Sequence, residues 1–143
     1  MRAATQIYGL EEFVPGQRME LRVSTEGGVL LLALEGRLTG ASDASRLVET
    51  VERQVSHEQN TVVIDLEHIS WVDSTGVGAL VSSFETIRRL GGTVRFCGLN
   101  DRLLRIMEIT KLDQVLEITA TRADAMEAIG ADLSEEDDAD DGE

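Results

Sequence analysis

The chain has 143 residues, a net charge of −14 and one cysteine, with 42% hydrophobic residues, few of them aromatic. That length fits one domain with extensions, and a single Cys97 leaves no internal disulfide and favours a cytoplasmic setting. The charge argues against nucleic acid as a direct ligand, which needs clustered cations, and the longest clean apolar run, Val29 to Leu34, is far too short for membrane insertion.

Residues 1–18 read as an N-terminal extension, in which Ile7, Leu10 and Phe13 either cover an edge of the body or lie loose. No apolar stretch of the kind found in a signal peptide follows Met1 to Thr5. Met19, Leu21 and Val23 alternate with polar residues, as in a half-buried strand. Glu26-Gly27-Gly28 turns the chain into a second strand, Val29 to Leu34, which makes a hairpin. Gly36 to Ser42 reads as a loop. Ala44, Leu47, Val48, Val51 and Val55 form one apolar face of a helix, with Ser42 or Asp43 as its N-cap. A buried strand, Thr61 to Leu66, then leads through a polar loop into a helix bearing Val77, Leu80, Val81, Phe84 and Ile87. Gly91-Gly92 ends that helix, and Thr93 to Cys97 is the next strand. Asn100 or Asp101 caps a helix with Leu103, Leu104 and Met107 inward. Val115 to Ile118 reads as a short strand. Thr121 caps a last helix, with Ala125, Met126 and Ile129 inward and Gly130 at its end. Residues 131–143 hold eight of the acids and no base, so the rest of the chain carries −6; this segment reads as a disordered, solubilising tail. The domain proper is therefore residues 19–130.

After the hairpin, strands and helices alternate, which requires right-handed crossovers and a parallel sheet. The fold class is α/β, with a mixed but mostly parallel sheet following an N-terminal β-hairpin.

The junction at Asp73-Ser74-Thr75 carries the chemistry. It lies where a strand gives way to a helix, beside N–H groups with no partner in the helix and at the positive end of its dipole. A hydroxyl there tolerates a reversible phosphate. Taken alone, Asp73 or Ser74 is more often simply a helix cap. The segment Val72-Asp73-Ser74-Thr75-Gly76-Val77-Gly78 resembles the signature of the STAS domain, most closely its anti-sigma factor antagonist branch. The resemblance extends to Leu32-Ala33-Leu34-Glu35-Gly36-Arg37-Leu38, similar to a family strand ending in Gly-x-Leu. It also takes in Arg88-Arg89-Leu90-Gly91-Gly92-Thr93-Val94-Arg95-Phe96, and in all covers residues 19–130.

The resemblance implies a small STAS-type fold and a binding module that is not an enzyme. It implies Ser74 as phosphoacceptor, with Thr75 the second choice. It places Thr39, Asp43, Asp73, Ser74, Thr75 and Gly76 on the partner face. The implied partners are an anti-sigma factor with serine kinase activity, which holds a sigma factor, and a serine phosphatase that resets the cycle. The alternative is a STAS scaffold subunit of a stressosome-like or transporter-ATPase complex, without phosphoswitching; a third reading puts a small molecule or lipid beside Gly76 and Gly78. Where many phosphorylated antagonists carry an Asp after Gly-x-Leu, this chain has Thr39, which makes the face less acidic unless Asp43 compensates.

Enzymatic readings fail on pattern. An aspartic protease carries Asp-Thr/Ser-Gly on an all-β fold. A nucleophile elbow needs Gly two residues before the Ser, where Val72 stands. A P-loop ends Gly-Lys-Ser/Thr, and no Lys lies near Gly76 or Gly78. No catalytic residue or cofactor is expected, and His57 and His68 have no companions at metal-ligand spacing. Trp71 reads first as packing and second as a partner contact.

Overall fold

The structure is a computed structural model and describes residues 6–8 and 19–130. Six strands lie in chain order across one sheet. β1 (Gln6–Tyr8), β2 (Glu20–Glu26) and β3 (Val29–Leu38) are antiparallel neighbours. β4 (Thr61–Val72), β5 (Thr93–Cys97) and β6 (Ile118–Thr119) add on parallel. The crossovers are α1 (Gly40–Gln54), α2 (Ser74–Arg89) and α3 (Asp101–Ile109), with a 3-10 turn at Leu112–Gln114. A final helix, α4, occupies 122–130.

Gly27 and Gly28 make the β2–β3 turn. Their φ values of 57° and 82° are those of a two-residue hairpin turn, whose twist matches the strands it joins. The strands then divide their side chains by alternation. Leu30, Leu32, Val62, Ile64, Val94 and Phe96 face α1, α2 and α3 in the main core. Their neighbours Val29, Leu31, Val63 and Cys97 face the other way and meet Ala125 and Ile129 of α4. Arg122 locks the start of α4 to the sheet, reaching the buried Asp65 carboxylate at 2.8 and 2.9 Å. Each Leu or Ile so buried contributes about 1.5–3 kcal/mol, which offsets the scarcity of aromatic residues.

Several expected boundaries are corrected. The residues expected as a loop, Gly36 to Ser42, finish β3 at Leu38 and begin α1 at Gly40, with Thr39 rather than Ser42 or Asp43 at the N-cap. β4 runs on past Leu66 to Val72, because its register against β3 slips twice and the extra residues keep the pairing alive. No polar loop therefore separates β4 from α2. Leu103 and Met107 are buried, but Leu104 is 37% exposed. The strand expected at Val115 to Ile118 starts only at Ile118, after the 3-10 turn, and Val115 is exposed. Ile7 belongs to β1, an edge strand not expected from the sequence. Leu10, Phe13 and the acidic segment 131–143 lie outside the described residues.

Candidate functional site

Two helices begin side by side at the C-terminal edge of the sheet. β3 feeds α1 through the single residue Thr39, and β4 feeds α2 through the single residue Asp73. Leu38 and Val72 are paired partners at the ends of those parallel strands, so the two helix starts are held level. Each start leaves backbone N–H groups without helical acceptors and carries roughly half a positive charge.

One carboxylate serves both. Asp73 Oδ1 accepts the Gly76 N–H of α2 at 2.8 Å, the ordinary N-cap bond. Asp73 Oδ2 accepts the Gly40 N–H of α1 at 3.0 Å, across 33 residues of sequence. The Asp73 N–H also donates to the Leu38 carbonyl at 3.3 Å. A full negative charge thus sits between two positive helix ends and joins them.

Gly76 makes this closeness possible. A Cβ there would lie 2.3 Å from the Leu38 carbonyl oxygen and 2.8 Å from Val72 Cγ1. Backbone cannot give way as a flexible side chain can, so α2 seats against the end of β3 only with glycine at this position.

Ser74 and Thr75 are both exposed in the first turn of α2, beside that twin positive end. Among the residues expected at the site, Thr39, Asp73, Ser74, Thr75 and Gly76 gather here. Asp43 does not reach the surface. It is 4% exposed and its carboxylate is committed, accepting the Thr39 N–H at 3.2 Å and pairing with Arg46 at 3.3 Å. Arg46 in turn donates to the Met19 carbonyl at 2.7 Å, which ties α1 to the start of β2. Asp43 therefore shapes the Thr39 turn from inside. The carboxylate expected to compensate for Thr39 adds nothing to the face a partner would touch.

Three further features are visible only in the structure. An open groove of about 610 Å³ runs between α1 and α2, from Thr75 past Gly78 and Ser82, with Glu49 and Glu52 on the α1 side. Trp71 is 38% exposed and stacks under Arg102 of α3, whose guanidinium carbon stands 4.9 Å from the ring centroid. Ser70 Oγ donates to the Gly36 carbonyl at 3.2 Å, and Asn100 Nδ2 to the Ile69 carbonyl at 3.3 Å, so the end of β4 is braced on both sides. His57 and His68 are exposed, and among the described residues no cluster of His, Cys, Asp and Glu could hold a metal.

The sequence signature of the STAS domain matches residues 20–125. The chain belongs to the STAS domain family. It is 37% identical over 78 residues to the anti-sigma-B factor antagonist of Listeria monocytogenes, an alignment that covers 54% of this chain and 68% of the relative. Its fold superposes on an anti-sigma factor antagonist from Mycobacterium paratuberculosis with a TM-score of 0.71 at 20% identity, covering 81% of this chain and 98% of that one. It also superposes on the Bacillus cell fate determinant SpoIIAA in its phosphorylated form, with a TM-score of 0.59 at 15% identity, over 76% of this chain and 98% of that one. The mixed α/β sheet and its crossover helices are those of this family, as expected from the Asp-Ser-Thr-Gly segment. No helix among the described residues is long and apolar enough to cross a membrane.

Proposed function

We propose that this STAS domain is a cytoplasmic anti-sigma factor antagonist switched by phosphorylation of Ser74. The unmodified chain captures an anti-sigma factor that is also an ATP-dependent serine kinase, and so frees a sigma factor. The kinase phosphorylates Ser74 and releases the antagonist; a serine phosphatase restores it. The observation that carries this reading is the exposed Ser74 hydroxyl at the first turn of α2, beside two helix starts joined by Asp73. The names of the antagonist relatives, and the occurrence of a phosphorylated form in SpoIIAA, support it. ATP belongs to the partner in this scheme, and the chain's own residues bind rather than catalyse.

Charge supplies the switch. A serine hydroxyl is buried against a partner at little cost. A phosphate adds about −1.5 to −2 charges. Its juxtaposition with like charge costs several kcal/mol, while a tenfold loss of affinity needs only about 1.4 kcal/mol. The twin helix start holds the phosphate without unfolding, so the penalty falls on the complex. Thr39, Ser74 and Thr75 are the proposed contact residues, with Asp73 and Gly76 setting their positions.

The test is to incubate wild type, Ser74→Ala, Ser74→Asp and Thr75→Ala with the cognate kinase and ATP, then measure phosphate incorporation and complex affinity. Ser74→Ala should resist labelling and bind constitutively. Ser74→Asp should bind more weakly, and Thr75→Ala should resemble wild type. Full labelling of Ser74→Ala, or a wild-type affinity indifferent to phosphate, overturns the switch and leaves a scaffold role in its place.

A further inference from the structure

Beside the proposed switch lies a surface that neither the core nor Ser74 explains. Trp71 precedes Ser74 by three residues, and the register shifts in β4 turn its ring outward while Val72 turns inward. Arg102 stacks on that ring. Along α3, Arg102, Ile106 and Ile109 follow at i, i+4 and i+7, so they share one side of the helix, with Arg105 beside them. Ile106 lines the same small hollow as Trp71 and Arg102. Ile109 is 73% exposed, an unusual position for a large aliphatic side chain in a helix whose other side is well buried. Arg37 stands opposite Trp71 in the β3–β4 register.

Arg102 lies on the Trp71 side of α3 with Ile106 and Ile109, while Arg105 stands at the margin of that side, four residues from Asp101 and three from Glu108. The exposed Trp71 therefore has two cations at it, Arg102 stacked on the ring and Arg37 opposite in the register, on a chain that is acidic as a whole. Trp and Arg are also the residues that most often carry binding energy when a partner covers them.

We infer that Trp71, Arg102, Arg105, Ile106 and Ile109 form a docking surface for an acidic, apolar-faced segment of the same protein partner that meets Ser74. Apolar side chains of that segment cover Trp71 and Ile109, and its carboxylates meet Arg102. The inference rests on the anti-sigma reading above and deepens it. Trp71 precedes Ser74 by three residues, so acidic chemistry in a segment that covers Trp71 gives the phosphate the like charge against which it acts.

The experiment uses the full chain and the purified serine-kinase anti-sigma factor from the source genome, with affinity measured by calorimetry. Ile109→Glu and Arg102→Glu are surface changes and should keep the wild-type melting temperature. Each should weaken the complex at least tenfold. Leu104→Glu, a like change on the other side of α3, should stay within about twofold of wild type. Trp71 is the only tryptophan of this chain, so its emission, recorded against a partner with its own tryptophans replaced by phenylalanine, should shift on binding.

If Ile109→Glu and Arg102→Glu bind as wild type while phosphorylation of Ser74 still blocks the complex, the docking surface is refuted and the switch stands. If wild type does not bind the anti-sigma factor at all, both fall. A concentration-dependent dimer in sedimentation that Ile109→Glu abolishes, with the anti-sigma affinity unchanged, assigns the surface to a second copy and overturns the partner assignment.

Discussion

Replacing Asp73 should loosen two helices at once. Its carboxylate accepts one N–H from α2 and one from α1, at 2.8 and 3.0 Å. An N-cap acid changed to Ala costs about 1 kcal/mol, within a range of about 0.5–2 kcal/mol. Two bonds on one side chain therefore put Asp73→Ala at about 2 kcal/mol, with a few tenths more for removing a charge from between two helix dipoles. In a domain of this size about 1 kcal/mol corresponds to roughly 4 °C, so the melting temperature should fall by about 8 °C. Two milder variants divide the effect. In Asp73→Ser the short hydroxyl still caps α2 but falls short of Gly40. In Asp73→Asn the amide oxygen serves one helix and turns its NH₂ toward the other donor. Both should lose about half as much as Asp73→Ala. Thermal unfolding reads the stability order, and amide hydrogen exchange at Gly40 and Gly76 reads each bond separately. If Asp73→Ser were as stable as wild type, with unchanged protection at Gly40, the bridge between helices would contribute nothing and the argument would fail.

Other substitutions probe neighbouring features. Gly76→Ala should destabilise the domain by more than about 2 kcal/mol in urea unfolding, since its Cβ meets the Leu38 carbonyl, whereas Gly78→Ala, with open space around it, should stabilise by roughly 0.5–1 kcal/mol as Ala does in a helix. Glu20 has its pKa raised above 4.5, first by burial and then by the hydrogen bond and like charge of Glu35, its cross-strand neighbour. The native state therefore holds this proton to higher pH than the unfolded chain, and stability from the group is lost as pH rises through the raised value. The stability of Glu20→Gln relative to wild type should accordingly grow from about pH 5 to about pH 7; a constant or shrinking difference would contradict the assignment. Burial, and after it the Asp65 carboxylate, pushes the Cys97 thiol up to about 12, so an aromatic disulfide reagent at about pH 8 should label it only after denaturation.

The strands and helices were legible wherever the apolar period was clean. Thr93–Cys97 stands at its expected bounds, and Asn100 caps α3 by accepting the Leu103 N–H at 2.8 Å. Failures cluster around the site. The two slips in β4 break the alternation after Asp65, so Ile69 and Val72 point inward at unexpected spacing and Trp71 is turned out. Periodicity cannot report a bulge whose position is set by the neighbouring strand. Nor does sequence reveal that the N–H of Gly40 finds its acceptor 33 residues away, or that Asp43 is consumed within its own turn. The Asp-Ser-Thr-Gly segment does show in the sequence where α2 begins. On α3 only Leu104 departs from its expected inward position, because Leu103, Leu104 and Met107 fit a helical stripe equally well with Leu104 in or out.

The seating of Gly76 against Leu38 has a consequence for any enzyme that modifies Ser74. Protein kinases commonly accept their substrates as extended segments laid along a cleft. A serine at the first position of a helix, with the turn behind it fixed by backbone contact, cannot be drawn out that way without unravelling α2. Modification must then recognise the folded surface, and a free peptide copying residues 68–80 should be a poor acceptor. If Ser74 is the phosphoacceptor proposed above, the label marks only molecules in which α2 is folded.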